Sequence, residues 1–103
     1  MLTVQRPANV VKDATTASQV RAARALLAIS QRDLAARSGV PLRTLARIEA
    51  GEVAKPRRGT MQRLSAVLRE AGVEFIPANG GGPGVRLTRE AALREAVEVA
   101  KGG

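Results

Sequence analysis

Gly39 separates two short apolar-periodic segments, and that one break constrains the fold more than any other feature of the 103 residues. Ser30 fits a helix N-cap, with Asp33 three residues on, a weaker form of the reciprocal capping box. The helix it opens spans about Gln31 to Ser38 and turns Leu34 and Ala35 inward. Gly39 follows where the chain must turn left-handed, a conformation in which a Cβ is strained. Val40 closes the corner, and a second helix runs from about Leu42 to Ala50, with Leu45 and Ile48 on one side and Gly51 at its end. Two helices crossing at about 90–120° through so short a turn touch near the corner. Ala35 supplies the small side chain needed there, and Leu45 fills the wedge. The other side of the second helix carries Leu42, Arg43, Ala46, Arg47 and Ala50, with two arginines four residues apart and pointing the same way.

The flanks extend this helical pattern. Thr16 and Gln19 form a Thr-x-x-Gln capping box before a helix over about Ala17–Ala28, whose Val20, Ala23 and Leu27 face inward. After Gly51, EVAKPRRGT reads as a loop carrying Lys55, Arg57 and Arg58 around Pro56. A helix follows over about Thr60–Ala71, with Met61, Leu64, Val67 and Leu68 inward and Gly72 past its end. VEFIP and GVRL read as two strands joined by the turn-forming ANGGGPG, a β-hairpin. Such a hairpin is marginal alone and needs helices, the N-terminal segment or another subunit to pack on. The glycine run is not a phosphate cradle: no Lys-Ser/Thr pair follows, and it opens no helix. Thr88 caps a last helix over about Arg89–Ala100, with Leu93, Ala96, Val97 and Ala100 as an apolar stripe. Residues 1–15 read as an arm or a short strand.

Composition closes off whole classes of chemistry. The chain has no cysteine and no histidine, which excludes disulfides, thiol chemistry, zinc fingers and Ser-His or Cys-His catalysis. No nucleophile or metal-ligand companion stands near Asp33, Glu49 or Glu52, so neither an enzyme nor a metal or cofactor site is expected. No apolar run reaches the ~18–20 residues that cross a membrane, and residues 1–14 lack a continuous apolar stretch of the signal-peptide kind. A cytoplasmic location is the expectation. Phe75 is the one aromatic residue, so the core is built of Leu, Val, Ile and Ala. Net charge is +8, and its distribution is uneven. Residues 1–71 hold thirteen Lys/Arg against five Asp/Glu, whereas residues 72–103 hold four of each. The whole excess lies on the helical part, the electrostatic footprint of a nucleic-acid partner.

From about Val20 to Val73 the chain resembles the phage-repressor/Cro family of helix-turn-helix regulators, also called the xenobiotic-response-element family. Arg24, Ser30-Gln31, Leu34-Ala35, Gly39-Val40, Thr44, Ile48-Glu49, Gly51, Pro56 and Leu64 carry the resemblance. It implies a mainly α, lambda-repressor-like bundle of four to five short helices, to which the hairpin and C-terminal helix are added. The organisation is then an arm or strand over 1–15, a DNA-binding domain over 16–72, and a dimer- or partner-binding appendage over 73–103. The resemblance further implies a structural ion pair between Arg24 and Glu49, and backbone contacts to DNA from Ser30, Gln31, Thr44, Lys55, Arg57 and Arg58. Base reading falls to Leu42, Arg43 and Arg47 on a helix in the major groove. The expected function is a dimeric repressor or autoregulator bound to double-stranded DNA at an inverted repeat, its two reading helices ~34–36 Å apart. The alternatives are an antitoxin or mobile-element regulator with a protein partner at the hairpin or last helix, and an adaptor that has lost DNA binding. Four residues depart from the family pattern. Pro41 replaces a Ser/Thr cap, Leu42 stands where a polar reader is common, Ala28 replaces a glycine, and Ala50 a frequent Asn.

Overall fold

A computed structural model describes residues 15–102. The expected arm or strand over 1–15 lies, except for Thr15, outside the described residues. The element order is α1 (Ala17–Leu27), α2 (Gln31–Ser38), α3 (Leu42–Glu49), α4 (Arg58–Glu70), β1 (Val73–Ile76), β2 (Gly84–Leu87) and α5 (Arg89–Gly102). The architecture is mainly α with one antiparallel hairpin, in the class the sequence implies.

Local chemistry sets most of the boundaries. Thr16 makes the full capping box: its Oγ1 accepts from Gln19 N at 3.1 Å, and Gln19 Oε1 accepts from Thr16 N at 2.9 Å. α1 ends at Ala28, which adopts the left-handed conformation (φ 56°) without being a glycine. Ser30 Oγ accepts from Asp33 N at 3.0 Å and so caps α2. Gly39 takes φ 76°, and Ser38 Oγ braces the turn by accepting from Val40 N at 3.2 Å. Pro41, extended at ψ 139°, starts α3 without a side-chain cap. Two boundaries differ from the sequence reading by two residues: the end of α5, at Gly102 rather than Ala100, and the start of α4. α4 begins at Arg58 rather than near Thr60, because Arg57 after Pro56 is extended and Gly59 and Thr60 both fit a first helical turn. Arg58 is therefore helical, not part of the loop.

One core holds these elements together. Val20, Ala23, Leu34, Val40, Leu45, Ile48, Met61, Leu64, Leu68 and Val73 form a single buried cluster. On α4, Ser65 is buried with the apolar residues, while Val67 is only half-buried at its edge. The hairpin pairs Val73 with Leu87, Glu74 with Arg86, Phe75 with Val85 and Ile76 with Gly84. Alternation puts Phe75, Val85 and Leu87 against the core, and Glu74 and Arg86 on the solvent face, where Arg86 Nε meets Glu74 Oε1 at 2.6 Å. Arg69 lies over the Phe75 ring at 5.3 Å from its centre, a cation–π contact that seals the edge.

Gln19 ties the hairpin to α1. Its Nε2 donates to Gly84 O at 2.8 Å and to Ile76 O at 3.2 Å, so one buried amide closes a cap and clasps the loop end of the hairpin.

Candidate nucleic-acid interface

α3 divides into two faces. Leu45, Ile48 and Glu49 are buried, and they fix the rotation of the helix about its own axis. Arg43, Arg47 and Ala50 are exposed, whereas Leu42, Thr44 and Ala46 are half-buried at the border between the faces. Arg43 and Arg47 share the outer face, one turn apart. Arg47 Nε lies 3.6 Å from Glu52 Oε1, a loose exposed pair that leaves the guanidinium free to exchange partners.

Glu49 anchors the buried end of α3. Arg24 reaches it from α1 with two parallel bonds, Nε to Oε2 at 2.9 Å and Nη2 to Oε1 at 2.8 Å. Arg24 also donates through Nη1 to Ile29 O at 3.0 Å, holding the connection between α1 and α2. The Glu49 side chain is 3% exposed and that of Arg24 is 22% exposed. Burial pushes the Glu49 carboxyl up, but the hydrogen bonds from Arg24 and Gln31 and the charges of Arg24 and Arg21 outweigh it. The carboxyl is thereby held below the ordinary glutamate range. The hydrogen bond that Arg24 donates to Glu49 raises Arg24 in turn, against the opposing effect of burial.

Two partners of this cluster were not legible as such in the sequence. Gln31 Nε2 donates to Glu49 Oε1 at 3.0 Å, so the amide assigned to DNA phosphate spends one of its two N–H groups inside the protein. Arg21 donates through Nη1 to the Glu49 carbonyl at the C-terminal end of α3, where a cation is favoured by the helix dipole. Neither contact has a local signal. They join residues 18 and 28 positions apart in the chain.

The remaining candidates lie at helix starts. Ser30 uses its oxygen as the α2 cap acceptor and keeps its hydroxyl proton for an outside acceptor. α3 and α4 begin without side-chain caps and without an acid in their first turns, so their first N–H groups and dipoles are uncompensated. Lys55, Arg57 and Arg58 are exposed at the entry to α4. Cations at a helix N-terminus repel its dipole, a cost that an anion between them relieves. Among the described residues no group of acidic side chains is placed to hold a metal ion, and no helix is long and apolar enough to cross a membrane.

Comparison with known proteins agrees with this geometry. The model of the helix-turn-helix family matches residues 20–75, from the first turn of α1 into β1. No curated protein matches the chain. That family is one of DNA-binding regulatory domains rather than enzymes. The buried inner face of α3, the left-handed turn at Gly39 and the family match lead to one assignment: the chain belongs to the helix-turn-helix family of the phage-repressor/Cro type, and is a DNA-binding regulator.

Proposed function

We propose that the protein is a dimeric repressor or autoregulator that reads an inverted-repeat operator with α3 in the major groove. The observation that carries this reading is the outer face of α3. It presents Arg43 and Arg47 one turn apart while Leu45, Ile48 and Glu49 lock the inner face. Each guanidinium forks onto the O6 and N7 of a guanine, for ~1–3 kcal/mol of discrimination. Half-buried Leu42 meets a thymine methyl at the rim of the contact.

Backbone contacts set the register of that helix. Ser30 donates its hydroxyl proton, and Gln31 the amide proton not used by Glu49, to a phosphate at the start of α2. Thr44 adds a hydroxyl, and Lys55, Arg57 and Arg58 add charge at the uncapped start of α4. These contacts position the protein without specifying sequence. The three cations and the two α3 arginines make affinity fall steeply with salt. Residues 16–72 are the DNA-binding unit in this reading, residues 73–103 serve assembly, and the protein works on DNA in the cytoplasm.

Selection of bound sequences from a random DNA pool, at two salt concentrations, tests the reading. A two-fold symmetric motif with guanines at mirrored positions is expected. Recovery of no motif would overturn it in favour of a protein-binding adaptor.

A further inference from the structure

Among the described residues, α5 is joined to the body near its start. Thr88 Oγ1 accepts from Ala91 N at 3.2 Å, and Thr88 N donates to Gly72 O at 2.8 Å. Ala91 is the one buried residue of the helix. It sits so close to Gly72 that a Cβ there would lie 2.7 Å from its own, and Arg94 Nη2 lies over the same glycine. Ala91 and Arg94 thus mark the side of α5 turned to the body. At about 100° per residue, Leu93, Ala96, Val97 and Ala100 fall on the side turned away. Leu93 is 60% exposed and Val97 54%, so the stripe has no cover among the described residues.

Charge indicates what fits this stripe. α5 carries Arg89, Arg94 and Lys101 against Glu90, Glu95 and Glu98, a net of zero. The three ion pairs among the described residues all lie outside it. A neutral helix attracts neither DNA nor an anionic membrane, and this one has no aromatic residue to seat in a lipid surface. The +8 of residues 1–71 makes two copies repel through their bodies, which leaves the neutral helix as the place where they can meet. Glu90 and Lys101 are eleven residues apart, three turns plus about 20°, and so lie on the same edge of the stripe.

We propose that α5 pairs antiparallel with α5 of a second copy of this chain, about a two-fold axis between Glu95 and Ala96. Glu90 then faces the partner's Lys101 at both ends, and Leu93 packs beside the partner's Val97 between them. A parallel pair would instead put Glu90 at the level of Glu90 and Lys101 at the level of Lys101, on opposite flanks, and so would not bring these opposite charges together. The inference supplies the interface for the dimeric reading of the previous subsection and rests on that reading for its purpose. It is tested without DNA, so the two fail separately.

The chain has no cysteine, so single cysteines in the full-length protein report the pairing directly. Ala96→Cys, next to the axis, is expected to form a disulfide-linked dimer on mild oxidation. Ala100→Cys is expected not to, since its two copies lie about 13 Å apart along the helix. Sedimentation equilibrium of the unmodified chain should show a dimer that dissociates on dilution. Glu90→Lys should weaken it about tenfold, and Glu90→Lys with Lys101→Glu should restore it. Leu93→Glu with Val97→Glu should give a monomer with the unfolding temperature of the parent under dilute conditions, because neither side chain belongs to the core. A parent chain that stays monomeric would overturn the proposal, as it would if another protein covers the stripe. Equal linking through both cysteines, or no rescue by the double charge swap, would overturn the antiparallel arrangement.

Discussion

α3 and α5 carry the same kind of pattern, apolar residues at spacings of three and four, yet they bury it differently. In α3, eight residues long, Leu45 is fully buried and Ile48 nearly so, with Glu49 locked beside them. In α5, fourteen residues long, Leu93 and Val97 are more than half exposed and only Ala91 is covered. Periodicity announces a helix and the direction of its apolar side. It does not say which surface meets that side. α3 is fixed by partners from α1 and α2, through Arg24 and Gln31, whereas α5, among the described residues, is fixed near its start, where Thr88, Ala91 and Arg94 meet Gly72. Stability therefore concentrates in the body that presents the DNA-reading face, and α5 is left free for another role.

The largest expected effect breaks the anchoring of α3. Glu49→Gln leaves Arg24 without its charge partner and should cost ~3–5 kcal/mol in denaturant unfolding. Arg86→Ala, which removes the exposed pair with Glu74 on the hairpin, should cost at most about 1 kcal/mol. The same carboxyl gives a pH signature. Its folded-state pKa is depressed, so its contribution is complete above the ordinary glutamate range and is lost as pH falls through the folded value. The parent chain should lose stability on acidification below about pH 4.5, and Glu49→Gln should lack that component.

A matched pair of substitutions sharpens the contrast. Leu45→Ala should cost ~2–5 kcal/mol, the range for emptying a close-packed site. Leu93→Ala, measured on dilute protein, should change stability by no more than about 0.5 kcal/mol. Equal losses at the two leucines would mean that α5 belongs to the folding unit. The smallest effect concerns a backbone detail. Ala28 is held at φ 56°, where an L side chain is strained, so Ala28→Gly should stabilise the chain by about 0.5–1 kcal/mol in thermal unfolding.

These comparisons also mark what the sequence can say. The bend at Gly39, the Ser30 and Thr16 caps and the two strands are written in neighbouring residues, and local rules read them. The start of α4 was displaced because an extended residue after Pro56 serves as a cap without any side-chain signal. Gln19 was legible as a capping residue but not as the clasp of the hairpin, since Ile76 and Gly84 lie 57 and 65 positions away. The same limit hid the bond from Gln31 to Glu49, so half the donor capacity of that amide was assigned outward when it points inward. The α5 stripe was legible as a stripe. Whether it folds back was not, because that depends on the close approach of Ala91 to Gly72.

DNA affinity measured against salt tests the outer face of α3 directly. The selected site should bind the parent chain with a steep negative slope of log K against log salt, and more tightly than a scrambled duplex. Arg43→Ala with Arg47→Ala should remove that preference, losing ~1–3 kcal/mol per arginine and flattening the slope, while the unfolding transition stays in place. A double variant that keeps both the preference and the slope would contradict the claim that these two side chains read the bases.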